Sequence, residues 1–231
     1  MHLVISGEGK TDIGMFSYEK GEFVAGSMYY FIDKIIEKKY DFSYYDDCRE
    51  AITFVPKSQL IEICKKMTSF AGKKRPQETA FFFKNAKGLA QIAKEKCIEK
   101  GDDHVIAILF RDADGTSSTP KSEWEQKVKA IENGFEQENI NGIAMIPNPK
   151  SEAWLICALK KNPYLHCAIL EERSGNDDSP NSLKKEFKQL LNDHTIDYAE
   201  LNRRIKENTI TIDAIDMPSY RRFEKKLTDL L

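Results

Sequence analysis

A chain of 231 residues with 41% hydrophobic and 31% charged side chains and a net charge of −2 has room for one substantial domain or for a core with an appendage. Nothing approaches the roughly 20 consecutive apolar residues of a membrane span, and the N-terminus enters an apolar strand pattern directly, without a signal-peptide layout. A cytoplasmic location without a membrane partner is expected.

Read in chain order, His2 to Ser6 is the first strand, closed by Gly7-Glu8-Gly9, where glycine lets the backbone bend tightly before Thr11 or Asp12 opens a turn. Gly14 to Ala25 mixes glycines, aromatics and charges without a period and reads as a loop. Met28 to Lys38 has helical spacing of Tyr29, Ile32, Ile35 and Ile36, and Ala51 to Val55 reads as a strand ended by Pro56. Helical patterns follow at Gln59 to Phe70 and Thr79 to Lys100. Val105 to Phe110 is the clearest strand, then come a helix at Ser122 to Gln137 and a strand at Gly142 to Ile146. Beyond Leu159 the chain turns to helices (Ser182 to Asn192, Tyr198 to Asn208, Ser219 to Leu231) and polar loops, of which RSGNDDSPNS is the plainest.

Alternating strands and helices predict an α/β fold with a mainly parallel sheet flanked by helices. The expected organisation is a core over residues 1–160, with a basic helical insertion at about 57–100, and a helical C-terminal extension over 161–231 packed on it. The five cysteines, Cys48, Cys64, Cys97, Cys157 and Cys167, are scattered and form no Cys-x-x-Cys, and the four histidines are equally dispersed. Neither a disulfide framework nor a zinc site is suggested.

Carboxylates carry the chemistry. Glu8 follows the first strand, and Asp112 and Asp114 follow the clearest one in FRDADGT. Open α/β sheets place working groups outside the carboxyl ends of their strands, so these acids can converge. In extended backbone, residues two apart share a face. Hard oxygen ligands suit Mg2+ or Mn2+, one ion or two. Each aspartate could instead cap backbone amides.

The pattern of a glutamate after the first strand and Asp-x-Asp after a later one resembles the Toprim domain of topoisomerases, primases and the OLD-type nucleases. EGKTD is similar to the Glu-Gly-x-Thr-Glu/Asp form of OLD-type and small stand-alone Toprim-like proteins, which adds Asp12, and IPNPKSEAWLI is similar to the strand and acid-bearing helix start that follow in those relatives, which adds Glu152. The resemblance implies a Rossmann-like Toprim fold and a metal site of Glu8, Asp12, Asp112, Asp114 and Glu152. It also implies Lys150 beside the late acid, where a positive charge would stabilise a phosphoryl transition state. Asp12 could equally cap a turn, and Glu152 could favour a helix N-terminus.

The activity so implied is metal-dependent hydrolysis of phosphodiester bonds in DNA or RNA, tRNA included. The resemblance further implies a setting in prokaryotic defence against phage, beside an ABC-type or other ATPase. Residues 56–100 hold 11 basic and 4 acidic side chains; Lys73, Lys74, Arg75, Lys84 and Lys87 would meet flanking phosphates, unless they form only a solvated helix face. Tyr40, Phe42, Tyr44 and Tyr45 could stack bases or simply pack. Two other functions remain open: a non-catalytic or partner-regulating module, and a nucleotide phosphohydrolase or phosphotransferase. The amphipathic closing helix could serve a homo-oligomer.

Overall fold

In the computed structural model, which describes residues 1–67, 77–101, 104–115, 121–159, 167–191 and 197–231, the apolar runs form one parallel sheet. Strand β1 (His2–Ser6) leads into an antiparallel hairpin, β2 (Gly14–Ser17) and β3 (Glu22–Ala25), then helices α1 (Ser27–Tyr40) and α2 (Tyr44–Asp47) and strand β4 (Ile52–Phe54). Helices α3 (Lys57–Lys66) and α4 (Gln77–Lys100) lead to β5 (Val105–Phe110), followed by α5 (Lys121–Glu136) and β6 (Asn141–Met145). The chain ends with α6 (Ser151–Leu159), α7 (Leu183–Leu190), α8 (Tyr198–Lys206) and α9 (Pro218–Leu230).

The sheet runs in the order β4-β1-β5-β6 with every pairing parallel. β1 and β5 are buried along their whole length, which is why they read as unbroken apolar runs. Alternate residues divide the core into two layers. Leu3, Ile5, Ile108 and Phe110 pack toward α1, α6 and α9, while Val4, Ala107 and Leu109 pack toward α4 and α5. This is an α/β architecture of Rossmann-like type, with a parallel sheet between helices and a closing C-terminal helix.

Two expectations are corrected, at the hairpin and at the disulfide, and the basic stretch gains a place in the fold. Gly14 to Ala25 is a β-hairpin, not a loop. Its alternation was masked because Met15 and Phe16 are both exposed and because Gly21, with φ of 66°, turns the chain. The stretch read as a basic insertion forms the crossover from β4 over β1 to β5, and Leu89, Ala90 and Ala93 of α4 lie in the core. Cys157 and Cys167 form a disulfide with a Cα–Cα distance of 5.9 Å, joining α6 to the 3-10 turn Cys167–Glu172. A single bridge has no spacing signature to read; it follows from the packing of the 3-10 turn against α6. Among the described residues no helix is long and apolar enough to cross a membrane.

Candidate functional site

The first crossover carries the chain from β1 to β4 on one side, and the next returns over β1 to β5 and on to β6. The order therefore reverses between β1 and β5, and in open α/β sheets the crevice outside such strand ends is where ligands bind. Glu8 and Asp12 lie beyond β1, and Asp112 and Asp114 beyond β5.

The β1 loop is tightly built. A Cβ on Gly9 would stand 2.2 Å from Asp12 Oδ2, so only glycine leaves that carboxylate its place. The amides of Asp12 and Ile13 donate to Gly9 O, both at 3.3 Å, and the Asp12 carbonyl accepts from Met28 N at 2.8 Å. Asp12 is thus tied to the start of α1.

Beyond β5 the ladder continues: Arg111 N donates to Met145 O, Ala113 N to Pro147 O and Asp114 N to Pro149 O, at 3.1, 3.1 and 3.0 Å. The extended backbone expected through Asp-Ala-Asp ends at Ala113, because Asp114 is left-handed with φ of 52°, a conformation aspartate tolerates better than most residues. The two acids accordingly have different neighbours. Asp112 Oδ1 accepts from Ser151 N, the first amide of α6, at 2.9 Å, whereas Asp114 Oδ1 lies 3.9 Å from Lys150 Nζ.

Helix α6 brings in the remaining acid. Its Ser151 hydroxyl donates to Asp12 Oδ1 at 3.4 Å, and Glu152 stands in its first turn. Burial, then the Glu152 charge, push Asp12 up to about 6. The same two causes, with Asp12 as the third, raise Asp112 well above the usual carboxylate range. Asp12, Asp112 and Glu152 have no ion-pair partner among the described residues.

The other acids are balanced. Glu8 Oε1 lies 3.1 Å from Lys57 Nζ and 3.4 Å from Arg111 Nε. Arg111 is 1% exposed, donates to Phe110 O and Asn85 Oδ1, and is pulled down to about 10 by burial. Lys150 Nζ donates to Asp177 at 3.1 Å, and Lys184 Nζ reaches the other oxygen of Asp177 at 3.3 Å. Among the described residues no three His, Cys, Asp or Glu side chains are gathered into a ready metal cage: Glu8 and Asp114 lean toward these cations. Asp12, Asp112 and Glu152 offer the hard-oxygen donors that a divalent ion takes, and the Glu152 charge helps to raise both Asp12 and Asp112.

The basic stretch divides. Lys73, Lys74 and Arg75 lie outside the described residues. Lys87 pairs with Glu138 at 3.3 Å, beside Lys94 at 2.7 Å. Lys84 is half-buried. Lys96 and Lys100 lie near His2, at the start of β1 and so at the opposite sheet edge from the acids. Tyr44 is also remote, its hydroxyl donating to Met1 O, and both Tyr44 and Tyr45 are packed in the core.

Sequence reasoning missed what the C-terminal segment contributes. Tyr198, at the start of α8, shares a hydrogen bond with the Thr11 side chain, and burial followed by the Asp12 charge raises its phenol. Gly175 N donates to Gly115 O at 2.7 Å, laying the polar loop of residues 173–182 against the Asp-x-Asp turn. No local signal marks these residues; only the fold brings them here.

A stability prediction follows from the trio. Asp12 titrates near 3.8 when unfolded and near 6 when folded, so folding favours the protonated form. Its contribution is fully present below 3.8 and is lost as pH rises through about 6, at a cost of the order of 3 kcal/mol. The metal-free melting temperature should fall between pH 4 and pH 7. Millimolar Mg2+ or Mn2+ should restore about 5 °C at pH 7.5 and much less at pH 5. Equal metal shifts at both pH values, read by differential scanning fluorimetry, would count against a carboxylate site.

Comparison of the chain with models of known families, with curated proteins and with solved structures yields no match.

Proposed function

We propose that this protein is a Toprim-like nuclease that hydrolyses phosphodiester bonds with Mg2+ or Mn2+ held by Asp12, Asp112 and Glu152, to which Glu8 and Asp114 can turn. The observation that supports this reading is that Asp12, Asp112 and Glu152, coupled by charge at the β1/β5 switch point, have no ion-pair partner among the described residues, with Glu8 and Asp114 beyond the ends of the same two strands. A bound divalent ion would supply an activated water and charge neutralisation on the phosphoryl oxygens. Asp112 and Asp12 are fixed from one side by the amide and hydroxyl of Ser151, which presents their remaining oxygens to the crevice. Lys150, held between Asp114 and Asp177, is placed to steady developing negative charge on a phosphate. Glu8, partly exposed and flanked by two cations, is by the Toprim resemblance the residue that would bind the metal or move a proton between nucleophile and leaving group. By the same resemblance the substrate is DNA or RNA, tRNA included, the setting is defence against phage, and an ATPase is the regulating partner.

The test is incubation of plasmid DNA, single-stranded DNA and total tRNA with Mg2+ or Mn2+. At least one substrate should be cut, and EDTA should abolish the cut. Intact substrates in both metals, with and without the products of neighbouring genes, would overturn the proposal.

A further inference from the structure

Beside Glu8, on the face of the sheet turned toward α3 and α4, several donors meet. Val55 N donates to Ile5 O at 2.8 Å, which carries β4 alongside β1 and starts α3 at Lys57, next to Gly7 and Glu8. The cap of α3 is Pro56, which offers no side-chain acceptor to the first amides of this ten-residue helix. Ser6 is paired in register with Leu109, and Arg111 follows two residues further along the same chain. Val4 and Leu109 belong to the α4–α5 side of the core, so alternation puts Ser6 and Arg111 on that side too, and the bond from Arg111 to Asn85 of α4 agrees.

Ser6 is 0% and Arg111 1% exposed, and neither Ser6 Oγ nor Arg111 Nε has a hydrogen-bond partner. Buried polar atoms are almost always satisfied, so two orphan donors at one sheet edge point to an absent acceptor. The group that approaches Arg111 Nε is a carboxylate, Glu8, at 3.4 Å, which also lies 3.1 Å from Lys57 Nζ. Two positive charges face that single negative one. Donors of four kinds, guanidinium, ammonium, hydroxyl and helix amide, suit a tetrahedral anion with several oxygens better than a planar carboxylate with two.

We propose that Arg111, Lys57, Ser6 and the N-terminus of α3 form a phosphate-binding subsite whose place is held by the Glu8 carboxylate. The subsite rests on the nuclease reading for the identity of its natural ligand, a phosphate of the nucleic-acid backbone on the opposite side of Glu8 from the unpaired acids. Its existence as an anion site is independent of cleavage.

The experiment is titration of the metal-free protein, in EDTA, with inorganic phosphate, followed by calorimetry and by 31P line width. Wild type should bind phosphate in competition with sulfate. Lys57→Ala and Arg111→Lys should each weaken binding about tenfold, and Glu8→Gln should strengthen it about threefold or more by removing the resident negative charge. Lys57 is surface-exposed, so its variant folds even if Arg111→Lys, checked by circular dichroism, does not. Absent binding in wild type, binding unchanged in Lys57→Ala, or weaker binding in Glu8→Gln would each overturn the subsite. Phosphate binding that follows this pattern with no cleavage of any substrate would leave the subsite standing and remove the nuclease; cleavage without phosphate binding would do the reverse.

Discussion

Asp112→Asn is expected to abolish metal-dependent cleavage, by about a thousandfold or more, while making the metal-free protein more stable. The two effects share one cause. Asp112 sits where burial and the charges of Glu152 and Asp12 hold its carboxyl well above the usual range, so at neutral pH its ionised form is a cost to the fold that only a cation would offset. Asparagine keeps the shape and can still accept the Ser151 amide hydrogen bond, but it has no charge to repel its neighbours and little to offer a hard ion. Urea unfolding in EDTA at pH 7.5 should therefore show a gain of about 1 kcal/mol, and the gain should shrink when Mg2+ is added to both proteins. This opposition between stability and activity is what a strained working site predicts. Cleavage within tenfold of wild type, or a variant less stable than wild type in EDTA, would mean that Asp112 is a helix cap and not a ligand.

Much of the fold was readable because buried strands and amphipathic helices leave strong local patterns. The strand expected at His2 to Ser6 has those limits in the structure, as does Val105 to Phe110, and the closing helix expected at Ser219 to Leu231 is Pro218–Leu230. These segments are apolar without a break or at an unambiguous helical period. The hairpin from Gly14 to Ala25 was not readable, because two-stranded ribbons bury too little to enforce alternation: Phe23 is buried, yet Phe16 opposite it is 38% exposed. The disulfide between Cys157 and Cys167 could not be foreseen either, since it depends on how the 3-10 turn Cys167–Glu172 packs on α6.

The acids were legible in a different sense. That Glu8, Asp112 and Asp114 could meet follows from their positions at strand ends, which is a topological inference, whereas Asp12 and Glu152 were added by the resemblance to Toprim-like proteins. How they divide is not in the sequence. Arg111, two residues beyond Leu109, faces α4 and claims Glu8, and the left-handed turn at Asp114 sends that side chain toward Lys150. The residues that the C-terminal segment brings near the acids, Asp177, Lys184 and Tyr198, lie 25 or more residues beyond Glu152, the last of those acids, and nothing local in their surroundings announces a site.

Trp154→Ala should cost about 3–5 kcal/mol of stability, or roughly 10 °C in melting temperature for a chain of this size, and it should remove activity even below that temperature. Trp154 is 0% exposed, stacked between Phe31 and Phe223 at 6.4 and 5.9 Å, met edge-on by Tyr220 at 5.3 Å, with its Nε1 donating to Ser219 Oγ at 2.8 Å. Alanine would leave a cavity at the junction of α1, α6 and α9 and strand the Ser219 hydroxyl. The consequence for the site runs through α6 itself, whose first turn supplies the amide to Asp112, the hydroxyl to Asp12 and the Glu152 carboxylate. Trp154→Phe separates the two contributions, because it keeps a ring in the stack while losing the indole donor and part of the ring volume; about 2 kcal/mol should be lost with cleavage near wild type. The decisive comparison is the Mg2+-induced rise in melting temperature at pH 7.5. If it survives in Trp154→Ala, the acids hold their positions without the aromatic stack behind α6, and the link from core packing to site geometry fails. If it disappears in Trp154→Ala but persists in Trp154→Phe, the C-terminal helix is part of the machinery that sets the carboxylates, although it carries none of them.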